Sequence, residues 1–188
     1  MGSRDAMRPP PDDDEAAAGP PGDPEEVARL VALRMLDRRA YSRTELETAL
    51  RKKGVPDDAA ERVLDRFAEL RLIDDAALAD GFALAAHQER GLAGRAVALK
   101  LRQRGVAEDT VRAAVDGIDG DSERAVAERL VRRRLRSLTG VAAPARARRL
   151  VGLLARKGYS PGLAHEVVRE VLREMDDDEQ LLGQLSSE

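Results

Sequence analysis

Leu154-Ala155-Arg156-Lys157-Gly158-Tyr159 is the stretch on which the fold turns. Its pattern occurs twice more, as Leu50-Arg51-Lys52-Lys53-Gly54-Val55 and as Leu101-Arg102-Gln103-Arg104-Gly105-Val106. A glycine four residues after a leucine and directly before an apolar residue marks a helix that ends in the left-handed region. Glycine has no Cβ to oppose a positive φ, and the flanking apolar pair closes over the last turn in a Schellman cap. The basic residue before each glycine, Lys53, Arg104 or Lys157, complements the negative end of the helix dipole. A new helix is expected at once: Pro56 and Pro161 suit a first turn, and Asp57, Asp58, Glu108 and Asp109 supply the negative charge that an N-terminus favours. Gly54, Gly105 and Gly158 are therefore expected as structural helix stops.

These glycines lie 51 and 53 residues apart, which leaves room for one further helix per period. A self-similar period of this size is the mark of stacked helical units, each burying its apolar face against the next. The expected architecture is all-α: three tandem three-helix repeats forming an elongated array of right or left hand. Residues 25–74, 75–120 and 121–175 are the three repeats, with an acidic disordered arm at 1–24 and an acidic, mobile tail at 176–188. The arm contains Pro9-Pro10-Pro11 and Asp12-Asp13-Asp14 and has almost nothing to bury.

Hydrophobic residues make up 43% of the 188, and with two Phe, two Tyr and no Trp the core must be built from Leu, Val and Ala. The absence of cysteine excludes disulfides and thiolate metal sites. No run of apolar residues is long enough for a bilayer, and the N-terminus lacks a basic-then-apolar signal, so a soluble cytoplasmic protein without membrane contact is expected.

Helical periodicity fills in the repeats. The first helix is expected at about Glu25–Arg39, with Val27, Leu30, Val31, Leu33, Met35 and Leu36 as its apolar surface. The second opens on the capping box Ser42-x-x-Glu45, and the third spans about Pro56–Arg71. Helices from Asp75 to Glu89, up to Gly105, and on to Val115 make the second repeat. Those of the third run from Ser122 to Leu138, then, after a loop at Thr139–Pro144, up to Gly158, and from Pro161 to Met175.

The net charge of −3 conceals an asymmetry. Residues 121–175 hold thirteen basic and six acidic residues, a net of +7, whereas the first two repeats together are near −1. In the third repeat Arg129, Arg132, Arg133 and Arg136 fall opposite the apolar face of one helix, and Arg148, Arg149, Arg156 and Lys157 mark the next. An arginine-rich face is often merely solvated. Two in succession are equally compatible with a surface that attracts polyanions or acidic protein faces. Arg134 falls within the apolar stripe between Val131 and Leu138, where its stem is expected to pack and its guanidinium to reach outward.

Catalytic chemistry has little support. His87 and His165 lack ligand neighbours at helical spacing, no phosphate-binding glycine loop or nucleophile elbow is present, and Asp57-Asp58 and Asp74-Asp75 fall where acids stabilise helix N-termini. No cofactor or metal is expected.

Tyr41-Ser42-Arg43-Thr44-Glu45-Leu46 followed by Lys53-Gly54, then Leu72-Ile73-Asp74-Asp75, then Gly91 with Leu101 and Gly105, and finally Leu154–Ser160 resemble the bacterial regulatory protein family RecX in order and spacing, over about residues 25–175. One departure stands out. The family pattern has an Arg before the first aliphatic residue of the middle-repeat helix, whereas here Ala96 precedes Val97 and Arg95 stands one place earlier. The resemblance implies an elongated, monomeric, non-enzymatic modulator that binds the RecA filament on DNA and limits its growth, ATP hydrolysis and strand exchange, with single-stranded DNA as a further potential contact. On that reading the eight basic residues of the third repeat are the filament-binding candidates.

Two other readings stay open. A Gly turn between helices also resembles a helix-turn-helix DNA-binding protein, although Asp57, Asp58, Glu108 and Asp109 would then face phosphates. A helical scaffold for an unrelated partner is the third.

Overall fold

The computed structural model describes residues 22–185 for the backbone and 22–175 for side chains. Of the arm expected to be disordered at 1–24, residues 1–21 lie outside that range, as do the last three residues of the tail; Asp23 and Pro24 instead cap and open the first helix. Among the described residues there are nine α-helices and no strand: α1 (Pro24–Leu36), α2 (Arg43–Arg51), α3 (Asp57–Glu69), α4 (Asp75–Gln88), α5 (Gly94–Gln103), α6 (Glu108–Asp116), α7 (Gly120–Leu135), α8 (Ala143–Lys157) and α9 (Pro161–Leu185). The all-α reading and its three groups of three helices are what the chain adopts.

Each glycine stop forms as its sequence dictates. Gly54, Gly105 and Gly158 have φ of 74°, 75° and 93°. The apolar residue after each one donates back across the turn: Val55 N to Leu50 O (3.2 Å), Val106 N to Leu101 O (3.2 Å) and Tyr159 N to Leu154 O (3.1 Å). The shorter bond of the same motif runs from each glycine N to Arg51, Arg102 or Ala155 O. All six flanking apolar residues are buried. Elsewhere, side-chain caps start the helices: Asp23 accepts from Glu25 N, Asp74 from Ala77 N and Asp119 from Ser122 N.

The chain separates into two compact units, one from the chain up to Ala40 with Glu45–Ile73, the other from Tyr41–Thr44 with everything from Asp74 onward. In the first unit α1 packs on α3. Here the expected apolar surface of α1 needs correction. Ala28 and Ala32 are the buried residues, while Leu30 and Leu33 are 50% and 42% exposed. The small alanines face α3, so the larger leucines beside them point away from the contact.

In the second unit α4, α5 and α6 enclose a core of Val97, Leu101, Val106 and Val111, and α7, α8 and α9 enclose another of Val131, Leu150, Leu154, Tyr159, Val167 and Val171. The second and third groups thus share one unit. Ala93, from the loop before α5, is itself part of the third group's core.

A second correction concerns the C-terminus. The last helix was expected to end at Met175, yet α9 continues in backbone to Leu185. Asp176–Glu179 contains no residue that breaks a helix, so an acidic composition alone was a poor stop signal.

Candidate functional site

Whether the arginines of the third group can meet a partner depends on what else they touch. Arg124 and Arg132, eight residues apart on α7, face Glu166, Glu170 and Glu174, spaced four apart on α9. Arg124 donates from Nη1 to Glu170 Oε2 (2.6 Å) and from Nη2 to Glu166 Oε1, and Arg132 Nη2 lies 2.5 Å from Glu174 Oε2. The Glu166 hydrogen bond, with the charges of both carboxylates, pushes the Arg124 guanidinium above its ordinary range.

A second set is engaged at a seam within this unit, where the turn at Gly158 sits on the start of α5. A Cβ on Gly158 would lie 2.6 Å from Ala96 Cβ, so only glycine permits the approach. Arg95 donates to the carbonyls of Gly158 and Tyr159, the latter at 2.8 Å from Nη2. Arg95 is therefore positioned to hold the helix stop at Gly158. Lys157 Nζ donates to Arg90 O (2.6 Å), Ala93 N to Lys157 O (3.0 Å) and Arg129 Nη2 to Gln88 O (3.3 Å).

Tyr159 is buried and its hydroxyl donates to Gly91 O (3.2 Å). Burial, with some help from the charge of Glu123, pushes its phenol up to about 12. His87 is also buried at the seam. Its Nδ1 donates to Leu92 O (2.8 Å), so its Nε2 accepts from the Ser122 hydroxyl (2.9 Å). His165 is exposed and donates to Pro161 O.

The Tyr41–Thr44 segment closes the stop at Gly105 in a similar way. Ser42 Oγ donates to Arg104 O, Thr44 Oγ1 donates to Gly105 O (2.9 Å), and a Cβ on Gly105 would collide with Thr44 Cβ at 2.4 Å.

Four further arginines gather in a groove of about 580 Å³ between α7 and α8, lined by Arg134, Ala145, Arg148, Arg149, Gly152 and Arg156. No acidic residue lines it. These four guanidiniums have no ion pair or hydrogen bond among the described residues. Gly152 lies inside α8, where glycine costs roughly 1 kcal/mol relative to alanine. A Cβ there would sit 3.3 Å from Arg156 Nη1, so the missing side chain leaves space at the groove floor for that guanidinium.

The eight basic residues singled out in the sequence are thus divided. Arg148, Arg149 and Arg156 share the groove. Arg129, Arg132 and Lys157 are bound to neighbouring groups. Arg133 is exposed beside Arg134, and Arg136 lines a separate groove with Arg132, Leu135, Thr139, Val171 and Met175. Sequence reasoning placed Arg134 in the apolar stripe and so did not count it as a site residue, yet it is exposed and forms the α7 wall of the groove. The uninterrupted run Arg132-Arg133-Arg134 was the available signal, since three consecutive helical residues span about 200° and at least one must leave the core face.

No group of His, Asp or Glu among the described residues is arranged to hold a metal ion, and no helix among them is long and apolar enough to cross a membrane.

Known proteins give this architecture a context. Residues 28–67 match the family model for the first three-helix domain of RecX. The chain is 51% identical over 159 residues to the regulatory protein RecX of Thermobifida fusca, an alignment covering 81% of this chain and 86% of that protein. It is 46% identical over 164 residues to the RecX of Streptomyces coelicolor, covering 87% of each. The crystal structure of RecX from Lactobacillus salivarius has the same fold, with a TM-score of 0.68 over 82% of this chain and 97% of that one, at 17% identity. The family resemblance drawn from the motifs is thereby established, and the chain belongs to the RecX family of regulatory proteins.

Proposed function

We propose that the protein is a non-catalytic modulator of the RecA recombinase, acting in the cytoplasm as a monomer that binds the RecA filament on DNA and restrains its growth, ATP hydrolysis and strand exchange. The observation that carries the reading is a concave groove with four guanidiniums that have no partner among the described residues, in a chain of the RecX family. A nucleoprotein filament offers both phosphates and carboxylates, and guanidinium binds either with paired hydrogen bonds that an ammonium cannot reproduce.

A helix-turn-helix mode is less well supported. α3 and α6 open with Asp57-Asp58 and Glu108-Asp109, which would meet the phosphates first.

Co-sedimentation with RecA filaments, against bare single-stranded DNA as control, tests the reading. The protein should pellet with filaments and inhibit their ATP hydrolysis. Changing Arg134, Arg148, Arg149 and Arg156 together to Ala should weaken both effects with helicity retained. The parent's inhibition should fade as salt rises, because exposed charges are screened over about 8 Å at physiological ionic strength. Undiminished inhibition by the quadruple variant at every salt concentration would refute the role of the groove.

A further inference from the structure

We propose that the groove between α7 and α8 is a binding site for a free linear oligophosphate, and that a ligand seated there competes with the filament for the same four guanidiniums. The binding stands independently of the function proposed above; only the competition rests on it.

Three features of the groove favour a small polyanion over a diffuse electrostatic contact. It is concave, with Arg134 on one wall and Arg148, Arg149 and Arg156 on the other. Its cationic charge lacks any carboxylate in the lining, whereas Arg124 and Arg132 on the same helix α7 each have a glutamate partner. Gly152, in the middle of α8 with no turn or positive φ to require it, lets the Arg156 guanidinium lie down on the groove floor, with Nη1 3.3 Å from where a Cβ would sit.

The spacing also suits a chain of phosphates. Arg148, Gly152 and Arg156 recur every four residues, a rise of about 6 Å each, so the two arginines leave the backbone of α8 roughly 12 Å apart and the Arg156 guanidinium reaches back over Gly152. A linear oligophosphate carries several closely spaced negative charges whose oxygens accept from the guanidinium fork at successive positions. A single carboxylate would engage one guanidinium and leave the others repelling one another.

Titration calorimetry of the full chain with inorganic tripolyphosphate, at about 0.15 M salt and without divalent metal, tests the site. One equivalent should bind. Arg156→Ala should weaken binding about tenfold or more, as expected for loss of a charge-assisted contact. Arg133→Ala should change it by less than about threefold, the scale of an exposed charge nearby. Gly152→Leu keeps every arginine, fills the floor and places a stronger helix former in α8, so it should abolish binding with the far-ultraviolet circular dichroism intact. Arg156→Lys, which keeps the charge but loses the planar fork, should fall with Arg156→Ala rather than with the parent.

Failure to bind tripolyphosphate would overturn the proposal. So would equal weakening by Arg133→Ala and Arg156→Ala, or full binding by Gly152→Leu, since each means that net charge alone is sensed. A short single-stranded oligonucleotide serves as the comparison ligand. If it binds in a Gly152-dependent way while tripolyphosphate does not, the groove takes strand phosphates and the small-ligand site is refuted. In the sedimentation assay, added tripolyphosphate should release the parent protein from filaments under a fixed excess of magnesium. Filament inhibition lost in the quadruple arginine variant, without tripolyphosphate binding by the parent, would sink this inference and leave the filament reading standing. The converse pattern would do the opposite.

Discussion

The seam at Gly158 and the groove at Gly152 lie six residues apart in sequence and use the same residue types for opposite ends. At the seam, Arg95, Lys157 and Arg129 donate to backbone carbonyls, and glycine is present because its neighbour's backbone and side chain leave no room for a Cβ. In the groove, Arg134, Arg148, Arg149 and Arg156 are left without partners among the described residues, and glycine makes room for the Arg156 guanidinium. Basic residues in this protein therefore cannot be ranked by charge or exposure alone. The acceptors within reach decide which of them hold the fold and which are free for another molecule.

The contrast can be broken most forcefully at the glycines. Gly158→Val combines a φ of 93° with a collision at Ala96, and Gly105→Val combines 75° with a collision at Thr44. Each should lose roughly 2–4 kcal/mol in denaturant unfolding. Gly54, which is exposed, should lose only about 1 kcal/mol as valine. Equal losses at all three would mean that the left-handed conformation, and not the seam, sets the cost.

Arg95→Ala comes next. It leaves the Gly158 and Tyr159 carbonyls without their donor and should cost about 1–3 kcal/mol, while inhibition of RecA per folded molecule stays unchanged. The four groove arginines changed together to Ala should show the reverse, with stability within about 0.5 kcal/mol of the parent and the proposed inhibition weakened. A large fall in stability there would show that the groove belongs to the fold after all.

The smallest effect concerns alkali. The phenol of Tyr159 is raised from 10.0 to about 12 in the folded chain, so the folded state holds its proton more tightly than the unfolded one. That stabilisation is complete below pH 10 and is lost as pH climbs through 12. Tyr159→Phe should flatten this part of the stability profile, at the cost of the bond to Gly91 O, and an unchanged alkaline slope would assign the loss to another group.

Much of the fold was legible because its signals are local. Leu-x-x-x-Gly-apolar specifies its own hydrogen bonds within six residues, and all three copies form them. The misjudged elements depended on distant residues. α1 buries Ala28 and Ala32 because α3 approaches closely there, a fact no hydrophobic tally of α1 contains. The same holds for the site. The partner of Arg132 is Glu174, 42 positions away, and that of Arg95 lies 63 and 64 positions away. From sequence, the bound Arg132 and the unbound Arg149 look alike, and Arg134 was set aside because its neighbours are apolar.

Tyr159 and Ala93 also bear on the order in which the chain acquires its structure. Within each three-helix group the contacts are short in sequence and can form soon after the residues leave the ribosome, where synthesis proceeds at about 5–20 residues per second. The segment Arg90–Ala93 must wait for Lys157–Tyr159, since its bonds to them span up to 68 positions. Until then α4–α6 lack the donors that satisfy the Arg90 and Gly91 carbonyls, and the third group lacks one residue of its own core. The seam is accordingly a late closure during biosynthesis, and a ribosome-stalled chain ending before Lys157 should be nicked by protease near Gly91 whereas the released protein resists.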